Sequence, residues 1–124
     1  MPQLIEGPTR IPVPGGKVID EYVGRATTAT AEVSVAHMVA PAGWEEPAQA
    51  PEFDEVTVVL AGTVLVEHEG GTLEVSAGQA VLTRAGERVR YAVGSAGAEY
   101  VAVCLPAFAE ELAHREDSGA ATED

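Results

Sequence analysis

The sequence predicts an all-β chain folded as a sandwich or closed barrel of short antiparallel strands. Three observations predict this. Valine is concentrated in short runs, which suits strands better than helices. Turn signals rich in Gly and Pro recur roughly every 6–12 residues. Only 5% of the chain is aromatic while 46% is hydrophobic, so the core must be mostly Val, Leu and Ala.

Taken in order, residues 1–16 hold prolines at positions 2, 8, 12 and 14 and end in Gly15-Gly16. They read as an extended arm with at most a short edge strand. Val18 to Val23 is the first β-like run. Ala31 to Ala40 is the second, and its two-residue period puts Val33, Val35, His37 and Val39 on one face. Pro41-Ala42-Gly43 stops it, and an acidic, proline-rich loop follows. Glu55 to Leu60 is a strand closed by Ala61-Gly62. Thr63 to Glu67 and Thr72 to Val75 form a hairpin around Glu69-Gly70-Gly71. Ala80 to Thr83, Val89 to Val93 and Glu99 to Leu105 complete the set, with Gly94-Ser95-Ala96-Gly97 as a turn. Phe108 to Glu116 can form one or two helical turns with Leu112 as the apolar contact. Residues 117–124 are small and acidic and are expected to be a disordered tail.

A chain of 124 residues fits one domain, 1–124. Its net charge of −13 argues against nucleic acid as a partner, because phosphate binding needs clustered Lys and Arg. The same charge argues against an anionic membrane surface. No apolar run approaches the roughly 20 residues of a membrane-spanning helix, and the N-terminus lacks the basic and apolar regions of a signal peptide. A cytoplasmic location is the default expectation. Cys104 is the single cysteine and lies in an apolar run, so it reads as a buried packing thiol.

The segment from Gly43 to Val93 resembles the two-motif core of the cupin superfamily. Glu55, six residues and Gly62 match the end of the first motif. Gly78, five residues, then Arg84-Ala85-Gly86 match the second, with arginine where the family has proline. The resemblance implies a cupin-type double-stranded β-helix, a jelly-roll barrel with the short C-terminal helical turn and acidic tail outside it. It also implies a homodimer, in which the arm could supply an exchanged edge strand. The family's metal ligands do not carry over. Its paired histidines fall on Gln49 and Pro51, or on Ala48 and Ala50, and the histidine of the second motif falls on Val89. Only Glu55 survives. The sequence is similar in particular to ethanolamine-utilisation Q-type cupins, through Phe53-Asp54-Glu55-Val56, Val59-Leu60-Ala61-Gly62 and Tyr100 to Ala107. That group is associated with ethanolamine metabolism and an acetate-kinase-like activity. This chain has no phosphate-cradling glycine loop and one lysine, Lys17, so that activity is not carried over.

With Glu55 inward, as the resemblance implies, alternation also brings Phe53, Thr57 and Val59 inward and sends Asp54 and Val56 outward. Val89 inward brings Tyr91 and Val93 with it, and leaves Arg88 and Arg90 outside, where they could pair with Asp54 or neighbouring acids. Glu45 and Glu46 read as solvated loop acids, and His68 and His114 as peripheral. The expected pocket therefore holds Glu55, Tyr91 and His37 as candidate catalytic groups. Gln49, Phe53, Thr57, Val59, Val89 and Trp44 are its walls. A carboxylate among Val and Phe has a raised pKa and can serve as acid or base near neutrality. The expected function is to bind a small organic ligand without metal or other cofactor. Isomerase, dehydratase or cyclase chemistry would fit. Two alternatives stand beside it: a metal site built from Glu55, His37 and Gln49, and a non-catalytic binding or assembly module.

Overall fold

The computed structural model describes residues 1–116; the expectation for residues 117–124 lies outside them. Seven strands and one helical turn succeed each other: β1 (Thr9–Ile11), β2 (Val18–Val23), β3 (Ser34–Ala40), β4 (Asp54–His68), β5 (Gly71–Ser76), β6 (Ala80–Thr83), β7 (Arg90–Leu105) and α1 (Glu110–Ala113). All pairings are antiparallel, in the order β1-β2-β3-β7-β4-β5; β6 pairs with the first part of β4, on the edge that β5 takes farther along.

Two turn assignments are corrected. Ala61-Gly62 does not end a strand, and Gly94 to Gly97 does not separate two. β4 and β7 each run through these segments, with register shifts near Val59/Ala61 and Gly62/Val64. Small residues mark turns in a sequence, but in a bulge they bend a strand without ending it. The bend is built by close approach. Gly62 has φ +77°, and a Cβ there would lie 2.1 Å from the Gly97 carbonyl oxygen. The two long strands bend together there and stay paired on both sides of the bend.

The larger core cluster joins Val59, Val64, Val66, Val75, Val81, Val89, Tyr91, Val93 and Tyr100 with Ala40 and Ala98, and Met38 and Trp44 pack on its edge. The smaller one joins Phe53, Cys104 and Ala113, covered by Phe108 and Leu112 of the C-terminal segment. Phe53 meets Phe108 edge-on at 5.7 Å. At 1% exposure Phe53 contributes on the order of 2–3 kcal/mol by burial, which ties the segment around α1 to the barrel floor. No helix among the described residues is long and apolar enough to cross a membrane.

The face assignment of β3 is reversed. Ser34, Ala36 and Met38 turn inward, while Val35, His37 and Val39 turn outward. Alternation establishes which residues share a face but not which face is the core, and here both faces carry apolar side chains. Of the expected ion pairs, Arg90 pairs with an acid across the ladder, Glu67, while Asp54 goes to neither Arg88 nor Arg90. Arg88 binds Glu116, Arg90 binds Glu67 and Glu45, and Asp54 is held by Arg84 and the Ala85 amide. Such exposed pairs add roughly 0–1 kcal/mol each.

Candidate binding cavity

The strands enclose a cavity of 140 Å³. One water needs about 10–15 Å³ by this measure, so the space accommodates a small organic molecule. β4 supplies Glu55 and Thr57, β7 supplies Tyr91, Tyr100, Ala102 and Cys104, and the loop before β4 supplies Glu46 and Gln49. The N-terminal arm adds Ile11, Pro12 and Val13 to the lining, and Lys17 follows it. Of the expected pocket residues, Glu55, Tyr91, Gln49, Phe53 and Thr57 line this space.

Four do not. His37 lies on the outer face of β3, where its Nε2 is 2.7 Å from Glu99. The reversed parity of the strand put it there, so neither its catalytic role nor the metal set of Glu55, His37 and Gln49 can be assembled. Val59 and Val89 are buried in the larger core cluster and do not line the cavity. Trp44 packs against that cluster at its edge, offering its ring to Lys17 rather than to the cavity. Glu46 is a correction in the opposite direction. Expected in solvent, its side chain is only 12% exposed, and its carboxylate lies 3.8 Å from Arg115.

Glu55 is the centre of the site. Its carboxyl touches cavity space, yet protein atoms surround it. Burial raises its pKa from the ordinary carboxylate range to about 7, and the nearby charge of Glu46 pushes the same way. Lys17, Arg115 and the Tyr91 hydroxyl pull it back. Burial raises Glu46 as well, against the charge of Lys17 and Arg115. The phenols of Tyr91 and Tyr100 are driven far up by burial, so both stay neutral hydrogen-bonding groups. Tyr91 Oη lies 3.0 Å from Thr83 Oγ1, which orients it. Gln49 is tied by backbone hydrogen bonds to Val89 in both directions, and its side-chain oxygen accepts from Arg115 at 3.3 Å.

Lys17, Glu46, Tyr100, Cys104 and Arg115 are cavity residues that the sequence reading did not select. The alternation of Tyr100, Ala102 and Cys104 was visible in the sequence, but which parity faced inward was not. Arg115 follows α1, and nothing local indicates that the segment folds back. A metal of the family's kind does not fit these residues. Among the described residues no three His, Cys, Asp or Glu side chains converge as ligands, and carboxylates without imidazole make a poor transition-metal site.

Residues 44–122 match the AraC-like ligand binding domain. A relative 52% identical over 107 residues is the Endoribonuclease YbeY of Myxococcus xanthus (strain DK1622). The match covers 86% of this chain and 36% of that protein, so the chain spans about a third of the relative's length. Three solved structures share the fold. A variant of oxalate decarboxylase from Bacillus subtilis superimposes with a TM-score of 0.75 at 17% identity, over 90% of this chain and 31% of that one. Pac13, a nucleoside dehydratase, gives 0.73 at 15% identity, over 94% and 90%; it is from Streptomyces and has been solved with uridine. An ethanolamine utilization protein Q from Salmonella typhimurium LT2 gives 0.59 at 20% identity, over 74% and 71%.

Proposed function

For a chain that belongs to the AraC-like ligand-binding domain family and folds as a cupin-type jelly roll, we propose that the barrel cavity binds a small organic molecule through Glu55, which acts on it as a proton donor or acceptor without a metal. The observation that carries this reading is the Glu55 carboxyl, poised at about 7 inside the cavity. A group near neutrality exists in both protonation states at working pH and can both give and take a proton. Neutral Tyr91 can steady an oxygen on the ligand while Glu55 moves the proton. Isomerisation, dehydration and cyclisation are the reactions such a pair serves. Pac13, which has this fold, is a dehydratase, which supports acid/base chemistry in such a barrel. The ribonuclease activity named for the Myxococcus relative is not part of this reading, since the match covers 36% of that protein and a net charge of −13 disfavours phosphate binding.

A homodimer belongs to the same reading. Val35, Val103, Val56 and Leu82 form one outward apolar row across β3, β7, β4 and β6, a surface that a second copy could cover. Light scattering at micromolar concentration tests it, and a monomer would refute it.

The functional reading is tested by thermal-shift screening of small polar metabolites against the native protein and Glu55→Gln. The native protein should be stabilised by at least one compound class, and Glu55→Gln should lose that response. If no compound binds, or all bind the variant equally well, the reading fails.

A further inference from the structure

Lys17 is the only lysine in the chain. It follows a turn of two left-handed glycines, Gly15 at φ +85° and Gly16 at φ +80°. A Cβ on Gly15 would stand 3.4 Å from the Trp44 ring, so the turn packs against the indole. From there the lysine stem reaches the cavity, with Nζ 4.0 Å from the Trp44 ring centroid and 5.4 Å from that of Tyr100.

All six arginines are engaged. Arg10, Arg84, Arg88, Arg90 and Arg115 each meet a carboxylate, and Arg25 donates to the Ala107 carbonyl. Lys17 differs: among the described residues no carboxylate lies within ion-pair distance of its ammonium. Glu46 and Glu55 act on it only from farther away. An ammonium carries three N–H donors, and a cation–π contact satisfies none of them. Lys17 lines the cavity, where burial removes much of the water around its ammonium.

Building on the ligand-binding reading above, we infer that Lys17 anchors a carboxylate, so that the cavity takes a small organic acid. The anion completes the hydrogen bonding of the ammonium, and charge-assisted bonds of this kind are roughly twice as strong as neutral ones. A ligand held at Lys17 and reaching Glu55 carries a polar group beside its acid function, as hydroxy and oxo acids do. The like charges of Glu46 and Glu55 limit the ligand to one carboxylate near Lys17.

The test compares glycolate, lactate and pyruvate with their uncharged amides, by calorimetry and thermal shift at pH 6.5. Native protein, Lys17→Met and Lys17→Arg are used, each checked for folding by circular dichroism. At least one acid should bind the native protein, with its amide at least about tenfold weaker. Lys17→Met should lose the acid by a similar factor, and Lys17→Arg should recover part of it. Amides binding as well as acids, undiminished acid binding to Lys17→Met, or no acid binding would overturn the inference. Neutral compounds or amines screened alongside separate the two readings. If they bind while the acids do not, only the anchor role falls; if no class binds, the cavity reading falls with it.

Discussion

Glu55 on β4 and Cys104 on β7 are direct partners in the strand ladder, and both turn into the cavity. Burial raises the thiol far above its ordinary range, and the Glu55 charge adds to this. The thiolate is the reactive form, so Cys104 should resist alkylation by iodoacetamide at pH 8 in the folded protein. In urea it should react at the rate of a free cysteine. Intact-mass spectrometry over time measures both rates, and rapid labelling of the folded protein would contradict the buried site.

The Glu55 carboxyl also makes stability depend on pH. Its folded pKa, about 7, lies above its unfolded value. Between roughly pH 4.5 and 7 the folded state therefore binds more protons than the unfolded one, and stability falls as pH rises through this window. Above it the cost is constant, on the order of 3 kcal/mol. Glu55→Gln should remove this cost. The variant should be more stable than the native protein at pH 8 and nearly equal to it at pH 4.5, as measured by urea unfolding across that range.

Tyr91 and Thr83 exchange a buried hydrogen bond at 3.0 Å. Tyr91→Phe leaves the Thr83 hydroxyl without that partner, which costs about 1–3 kcal/mol. Thr83→Val alone should cost a similar amount. The double variant should cost less than the sum, with a coupling of about 1 kcal/mol, read from a double-mutant cycle.

The paired bend of β4 and β7 depends on Gly62. Any side chain there meets the Gly97 carbonyl oxygen at 2.1 Å in a left-handed backbone conformation. Gly62→Ala should destabilise the barrel by more than about 2 kcal/mol, visible as a drop in melting temperature. Gly43→Ala is the control for backbone conformation alone. It also has positive φ, +76°, with nothing within 4 Å of the added Cβ.

His37 provides the negative control for the cavity. Its pair with Glu99 sits outside, with the imidazole 30% exposed. His37→Gln should change stability by less than about 1 kcal/mol and leave the ligand response in the thermal-shift screen unmoved.

Most of the strands were legible because hydrophobic period and turn residues are local signals. β6 matches its expected bounds, and β2 does too. The site was legible where a motif supplied the parity: Glu55 was placed inward, and Phe53 and Thr57 followed by alternation. Where no motif supplied it, parity was a choice between two faces. On β3 that choice went to the wrong one, because Val35 and Val39 make the outer face as apolar as the inner.

The sequence alone determined the class of fold, the strand rhythm and the absence of a histidine set at the motif positions, since each is a property of residue type and spacing. Tertiary structure decided the rest. Two long strands bend instead of turning, because Gly62 and Gly97 meet between the paired strands in a close approach that neither segment encodes by itself. Lys17, Glu46 and Arg115 lie far from Glu55 along the chain or were read as solvated. They share a cavity with it because the arm, the loop before β4 and the segment after α1 all contribute to its lining. Electrostatic character is a property of that convergence, and no single segment of the chain contains it.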